Sequence, residues 1–310
     1  MTGLAAFVDT TDVQTLIDAT ALGSIYALMA VGIGLVFGVL RLVNFAYGQL
    51  IMAGAYALAL TSDYNPVVSI GICFAVVIGL SMTMEVVAFR PLRSASPATM
   101  LVATFAISFL LQSIALLKFG PLGKPVGVLT ELNRPIGDGE LIVRWIWIVA
   151  IAVAAVSLVG LMLLLNRTSI GLQMRAAAAD FRTARLLGVR ANMVIAFAVL
   201  LSGILAAIVS VLLTVEQPFV TYDYALRDTI VVLVGVVVGG LDRLWSAALG
   251  GFAIGFAISA FGGFLPSTGT WPFTSGIYLD SAVYALVIIV LLLRPDGLFA
   301  RRGQGSVERV

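Results

Sequence analysis

The sequence predicts an all-α fold: a polytopic membrane helix bundle of about eight or nine segments, one of them short or broken. Three observations carry that expectation. The 310 residues are 61% hydrophobic and 11% charged, with a mean hydropathy of +1.10, whereas a soluble domain carries about 25% charged residues. Apolar stretches of about 20 residues, the length that crosses a bilayer, recur along the chain. The basic residues gather on one set of the intervening loops, as membrane insertion requires.

The candidate spans fall at roughly 20–40, 45–62, 66–89, 98–117, 145–165, 192–214, 228–240, 244–265 and 277–293. The seventh, DTIVVLVGVVVGG, has 13 residues. At ~1.5 Å per residue it covers about 20 Å of a core of about 30 Å. It is therefore a broken helix or a re-entrant segment buried in protein, because irregular backbone at that depth cannot face lipid. With nine crossings and the N-terminus outside, 13 of the 18 basic residues fall inside and 5 fall outside. That asymmetry predicts N-out, C-in. The whole chain, 1–310, reads as one transmembrane domain with an external loop at 118–144, a cytoplasmic loop at 166–191 and a cytoplasmic tail at 294–310. Pro121, Pro125 and Pro135 make the external loop irregular. The first 20 residues hold Asp9, Asp12 and Asp18 but no lysine or arginine, so no cleaved signal is expected.

Three glycine pairs, Gly34 with Gly38, Gly235 with Gly239 and Gly251 with Gly255, each share a helix face. Such pairs let helix backbones approach closely. They serve packing within the bundle or, as the minority reading, a subunit interface.

What the chain lacks narrows its class. It has no histidine and one cysteine, Cys73, which removes the commonest general base, metal ligand and pH switch and any intrachain disulfide. Neither of the two lysines, Lys118 and Lys124, stands in a phosphate-cradling glycine loop. The chain is not expected to be an enzyme or to hold a metal, a cofactor or nucleic acid. Ion-coupled carriers place acids within their spans. Here the candidates are Glu85, which can reach the interface or pair with Arg90 or Arg93, and Asp280, close to water.

Three constellations remain. In GLQMRAAAADFRTARLLGVR, Leu172, Phe181, Ala184, Leu187 and Val189 supply apolar surface among Arg175, Asp180, Arg182 and Arg185. Phe181, Ala184 and Arg185 fall on one helical face, and Gly171 and Gly188 bound a helix of about 16 residues that is fit to dock in a partner's groove. The alternative is an ordinary basic loop. Asn44, Tyr47 and Gln49 form the most polar short cluster between two spans. Asn44 either caps the second helix, or the cluster lines a route for a zwitterionic solute. Glu216, Tyr222, Asp223, Arg227 and Asp228 precede the short seventh span and either receive an external partner or solvate a loop.

The stretch Leu22–Ala57, LGSIYALMAVGIGLVFGVLRLVNFAYGQLIMAGAYA, resembles the opening of LivH-type permeases of branched-chain amino acid ABC importers. Gly171–Val189 resembles that family's cytoplasmic loop and Leu291–Arg302, LLLRPDGLFARR, its ending, so the likeness covers about residues 15–305. Tyr47 stands where the family commonly has histidine, Gln49 where an acid is frequent, and Asp242 and Arg243 where small residues are usual. The resemblance implies a second, LivM-like permease, two cytoplasmic ATP-binding subunits that hold the ATP, an external substrate-binding protein and a small polar solute. It also implies a bacterial inner membrane. Under it, Arg175, Asp180, Phe181, Arg182, Arg185, Leu187 and Gly188 couple to an ATP-binding subunit, and Asn44, Tyr47 and Gln49 line the translocation path. The runner-up solutes are urea and short amides. The runner-up class is an ion-coupled carrier, followed by a structural membrane subunit.

Overall fold

The computed structural model describes residues 10–40, 43–92, 95–136, 143–240 and 244–264, together with 285 and 292. The expected span 277–293, apart from those two residues, and the tail 294–310 lie outside the described residues. So do Arg41, Arg93, Asp242, Arg243 and Asp280.

Among the described residues, six helices are long and apolar enough to cross a membrane. They are α1 (Thr10–Leu40), α3 (Pro66–Met84), α5 (Pro97–Phe119), α6 (Trp145–Arg167), α9 (Ala191–Glu216) and α11 (Leu244–Phe264). α3 continues through a π-helical turn, Glu85–Phe89, into α4 (Arg90–Leu92). Two helices have only 14 residues: α2 (Tyr47–Leu60) and α10 (Leu226–Gly239). The loop after α6 holds α7 (Ser169–Ala179) and α8 (Phe181–Leu186). At one end of the bundle, β1 (Lys124–Pro125) pairs antiparallel with β4 (Phe219–Val220), and β2 (Pro135–Ile136) with β3 (Val143–Arg144). We call this the hairpin end, and the opposite one, with Arg90, Arg167, Arg175 and Arg190, the arginine end.

Several boundaries differ from the sequence expectation for local reasons. The first helix begins ten residues before the expected span at 20, at Thr10. The second cannot start at 45. Asn44 forms a turn there, its Oδ1 accepting from the Ala46 amide at 3.1 Å and its carbonyl from the Tyr47 amide at 3.3 Å. The helix beyond this turn, α2, covers about 20 Å, so the expected span 45–62 is a short helix. α10 is short as expected. Ala225, at φ +60, precedes it, and Gly240, at φ +103, ends it.

The burial pattern places α1 at the centre. Its apolar window is 83% buried, against 22% for α5 and for α6, whose apolar faces stay open for lipid or a partner. α11 lies along α1 through small residues: a Cβ on Gly255 would come within 2.9 Å of the Gly23 Cα, and one on Gly251 would strike the Ala30 methyl. α10 and α11 form a hairpin in which Gly235 and Gly239 meet the backbone of Ser246, Gly250 and Gly251. Without a hydrophobic drive between helices in lipid, close contact of this kind supplies the attraction. The Gly34–Gly38 pair does not behave this way. Gly34 faces Ala247 and Leu244, but nothing lies within 4 Å of a Cβ on Gly38.

Serines tie the helices across the apolar interior. Ser202 Oγ on α9 donates to the Gly32 carbonyl of α1 at 2.7 Å, Ser210 Oγ to Ile51 of α2 at 2.9 Å, and Ser81 Oγ on α3 to Val199 of α9 at 3.0 Å. Hydrogen bonds between membrane helices contribute about 0.6 kcal/mol each on average. The double variant Ser202→Ala, Ser210→Ala is therefore expected to fold, with unfolding free energy lowered by roughly 1 kcal/mol. Denaturation in mixed micelles measures this, and a loss above about 3 kcal/mol would assign these serines a larger role.

Candidate functional site

The arginine-end loop is folded from its own sequence. Thr168 Oγ1 caps α7 by accepting from the Gly171 amide at 3.1 Å, and Gly171 packs against the Leu164 and Leu165 backbone. α7 buries Gly171, Met174 and Ala177 against the bundle and leaves Leu172 and Arg175 exposed. The single helix expected between Gly171 and Gly188 is instead two. Asp180 takes an extended backbone, φ −151 and ψ 104, between them. Its carboxylate accepts from the Thr183 amide at 3.1 Å and from the Thr183 hydroxyl, so it caps α8. A short polar side chain that competes for backbone amides starts a helix better than it continues one.

α8 ends at Gly188, whose φ of +91 suits only glycine without strain. The Val189 amide then reaches back to the Ala184 carbonyl at 3.1 Å, the long bond of a glycine-terminated helix. That reversal leaves Leu186 84% and Leu187 81% exposed, beside exposed Arg190. Ala184 is instead buried, so it forms no part of a free face. The side chains of Phe181, Arg182 and Arg185 are not among the described ones; their backbone belongs to α8. Arg175 Nη1 donates to Asn166 Oδ1 at 3.3 Å.

A concavity of about 350 Å³ opens here, lined by Gln173, Leu187, Gly188, Val189, Arg190 and Met193. Arg190 closes the basic stretch read from the sequence, whereas Gln173 and Met193 were missed by sequence reasoning, which treated the loop as one helix. The signal for Met193 was weak, because it stands on the first turn of a span. Apolar patches rimmed by polar groups mark interaction sites.

The second site is internal. Tyr47 and Gln49 are fully buried and Asn44 is 3% exposed. The Asn44 Oδ1 is committed to its own turn, accepting from the Ala46 amide ahead of the helix, and α2 has no side-chain cap on its first amides, so the expected capping of the second helix is not made. Tyr47 Oη and both amide atoms of Gln49 have no hydrogen-bond partner, and neither does Tyr56 Oη. An unsatisfied buried polar group costs about 1–3 kcal/mol, so a leucine and a phenylalanine in place of Gln49 and Tyr47 would be more stable. Phe45, between Asn44 and Tyr47, stacks on Phe105 with ring centroids 3.9 Å apart.

Glu85 is fully buried at the π turn and meets Arg90 Nη2 at 3.3 Å, as one of its two expected pairings. At the hairpin end the polar group divides. Asp223 and Arg227 are exposed, while Asp228 turns inward and accepts from Tyr26 Oη at 2.6 Å.

Comparison with known proteins places this geometry in a family. The family described as branched-chain amino acid transport system / permease component matches residues 15–292. The chain is 29% identical to the high-affinity branched-chain amino acid transport system permease protein BraD of Pseudomonas aeruginosa, over 96% of this chain and 97% of that protein. It is 27% identical to the corresponding LivH of Escherichia coli K12, over the same shares. A probable branched-chain amino acid transport permease protein LivH of Methanocaldococcus jannaschii is 29% identical, over 89% of this chain and 88% of the relative. A match across nearly the whole chain, on a bundle with six membrane-length helices among its described residues, leads to one assignment: the chain belongs to the permease components of branched-chain amino acid transport systems and is a membrane permease subunit of an importer.

Proposed function

We propose that this subunit carries branched-chain or related amino acids across a bacterial inner membrane, in a machine driven by ATP on separate subunits. Its companions are a second, LivM-like permease, two cytoplasmic ATP-binding subunits and an external binding protein that delivers the solute. The observation that carries the coupling half of this reading is the pair Leu186 and Leu187, held out beside Arg190 where α8 ends. In this reading residues 166–191 face the cytoplasm and transmit the motor's closure through a rigid contact. Residues 118–144 face outside, towards the binding protein. Asn44, Tyr47 and Gln49 belong to the translocation path. α2 and α10, added to the six long helices, bring the membrane segments to eight, and the span at 277–293 makes nine.

Reconstitution of all subunits in vesicles tests the assignment. Leucine and valine accumulate only with ATP and the binding protein. Accumulation of urea or short amides instead moves the solute class, and uptake driven by an ion gradient without ATP overturns the importer reading.

Topology is checked separately. Cysteines placed at Ala178 and at Gly127 are expected to react with impermeant reagents from the cytoplasmic and external sides respectively. The native Cys73 is buried and adds little background. Labelling of Ala178 from outside overturns both the orientation and the docking role.

A further inference from the structure

α6 carries an open apolar stripe along its whole length. Trp145, Ile148, Val156, Val159 and Leu163 are exposed by 47% at Ile148 up to 72% at Val156, and their spacing keeps them on one helix face. The stripe ends on Asn166 and Arg167, both exposed. The 23 residues of α6 cover about 34 Å, against a hydrocarbon core of about 30 Å. A half-exposed tryptophan at one end and an arginine at the other are residues that anchor a span at its two interfaces. The stripe therefore lies along acyl chains, and Asn166 and Arg167 stand at the level of the headgroups.

α7 folds back onto that end. Arg175 Nη1 donates to Asn166 Oδ1 at 3.3 Å, nine residues back along the chain, which brings its guanidinium to the residue next to Arg167. Leu172, 61% exposed, lies one turn before Arg175 on the same face of α7. Gln173, two residues from Arg175, lies on the other side of the helix and lines the concavity with Arg190. Arg175 thus belongs to the membrane side of α7, away from the concavity.

The junction is positive and uncompensated. Among the described residues neither Arg167 nor Arg175 has a carboxylate partner: Glu85 meets Arg90, Glu131 meets Arg134, and Asp180 caps α8. α7 begins at Ser169, two residues after Arg167, and adds the positive pole of an 11-residue helix. Two neighbouring guanidinium groups repel each other unless an anion lies between them.

We propose that the α6–α7 junction, formed by Asn166, Arg167, Leu172 and Arg175, binds the headgroup of an anionic phospholipid, with an acyl chain along the α6 stripe. A guanidinium grips phosphate oxygens in pairs, which suits arginine to this ligand. Zwitterionic headgroups offer the same phosphate but bring a cation of their own, which two arginines disfavour. Asn166 is a positioning residue that holds Arg175 at the end of the stripe. A lipid seated there fixes α7 against the membrane on the face opposite the concavity. This site depends on α6 spanning the bilayer and not on the solute carried.

The test weighs the full-length permease intact, by native mass spectrometry, after gentle extraction from vesicles of equal phosphatidylglycerol and phosphatidylcholine. The wild type is expected to retain phosphatidylglycerol over phosphatidylcholine by at least about fivefold, equivalent to about 1 kcal/mol. Arg167→Gln combined with Arg175→Gln is expected to bring the ratio to about one. Asn166→Ala keeps both charges but releases Arg175, and is expected to lose at least about half of the preference. Arg190→Gln removes a charge from the same end on the concavity side and keeps the wild-type ratio. All these side chains are exposed, so the thermal midpoint in pure phosphatidylcholine is expected to match wild type. If the double variant nevertheless fails to fold, Asn166→Ala and Arg190→Gln decide the matter.

A wild-type ratio within about twofold of one overturns the site, as does a double variant that keeps the preference. An equal fall in Arg190→Gln overturns it too, because the preference then belongs to the charge of the whole end. Wild-type preference in Asn166→Ala overturns the joining of the two arginines in one site. Displacement of the lipid by inorganic phosphate would assign the pair to a soluble anion and overturn the lipid assignment.

Discussion

Gly250→Val is expected to abolish assembly of the bundle, while Gly38→Val is nearly silent. A Cβ on Gly250 would overlap the Gly235 carbonyl oxygen and come within 2.8 Å of the Gly239 backbone nitrogen and Cα. All three obstacles are backbone, so no rotamer change relieves them. Overpacking a core costs about 1–3 kcal/mol where side chains can shift, and here the whole α10–α11 hairpin must open instead. α11 also lies along α1, with Gly251 and Gly255 closing on Ala30, Tyr26 and Gly23. Opening the hairpin therefore displaces the helix that packs along the central one.

Nothing stands within 4 Å of a Cβ on Gly38. Its substitution to valine exchanges one helical residue for another and is expected to change stability by less than about 1 kcal/mol. Yield of monodisperse protein in detergent and its thermal midpoint separate the two variants. Equal behaviour of Gly38→Val and Gly250→Val would show that the hairpin contact does not hold the bundle together. A collapse of Gly38→Val alone would place an interface on that face.

The contrast between these glycines marks the limit of sequence reading here. Spacing puts Gly34 and Gly38 on one face as surely as Gly235 and Gly239, and it does not say whether a neighbour is there. Membrane character was fully legible, because composition and span length express the solvent directly. The short seventh segment was legible for the same reason: DTIVVLVGVVVGG is too short to cross. The short second helix was not, because hydropathy continues through Phe45 and Ala46 while the Asn44 turn breaks the helix. Asp180 hid a second break. Within a run of good helix formers it reads as one more charged residue, and only the extended backbone and the bonds to Thr183 show it to be a cap. The polarity of Tyr47 and Gln49 was visible in the sequence. Their lack of partners was not, since that depends on which neighbours the folded bundle brings against them.

The double variant Leu186→Ser, Leu187→Ser is expected to leave the permease folded and to uncouple it. Both side chains are more than four-fifths exposed, so removing them takes little from the fold of the subunit itself. Burying a leucine fully contributes about 1.5–3 kcal/mol. If both are covered by an ATP-binding subunit, the variant weakens that contact by roughly 3 kcal/mol or more, over 100-fold in affinity. Retention of the ATP-binding subunits on a tagged permease measures the contact, and ATP-driven leucine uptake measures its consequence; both are expected to fall together.

Arg190→Ala at the edge of the same concavity is expected to act more mildly, because an exposed ion pair contributes about 0–1 kcal/mol. The order of effects matters as much as their size. Leucines that instead dip into the membrane surface would yield a variant that accumulates poorly in membranes but binds its ATP-binding subunits normally once purified. That outcome would move the motor's contact away from α8. Normal affinity together with normal uptake would leave these exposed leucines without a partner to explain them, and the coupling assignment would fail. The physical reason to expect the first result is the company these residues keep. A leucine beside Arg190, past a helix that ends on a left-handed glycine, is placed against the gradient of its own solubility, and a partner surface removes that penalty.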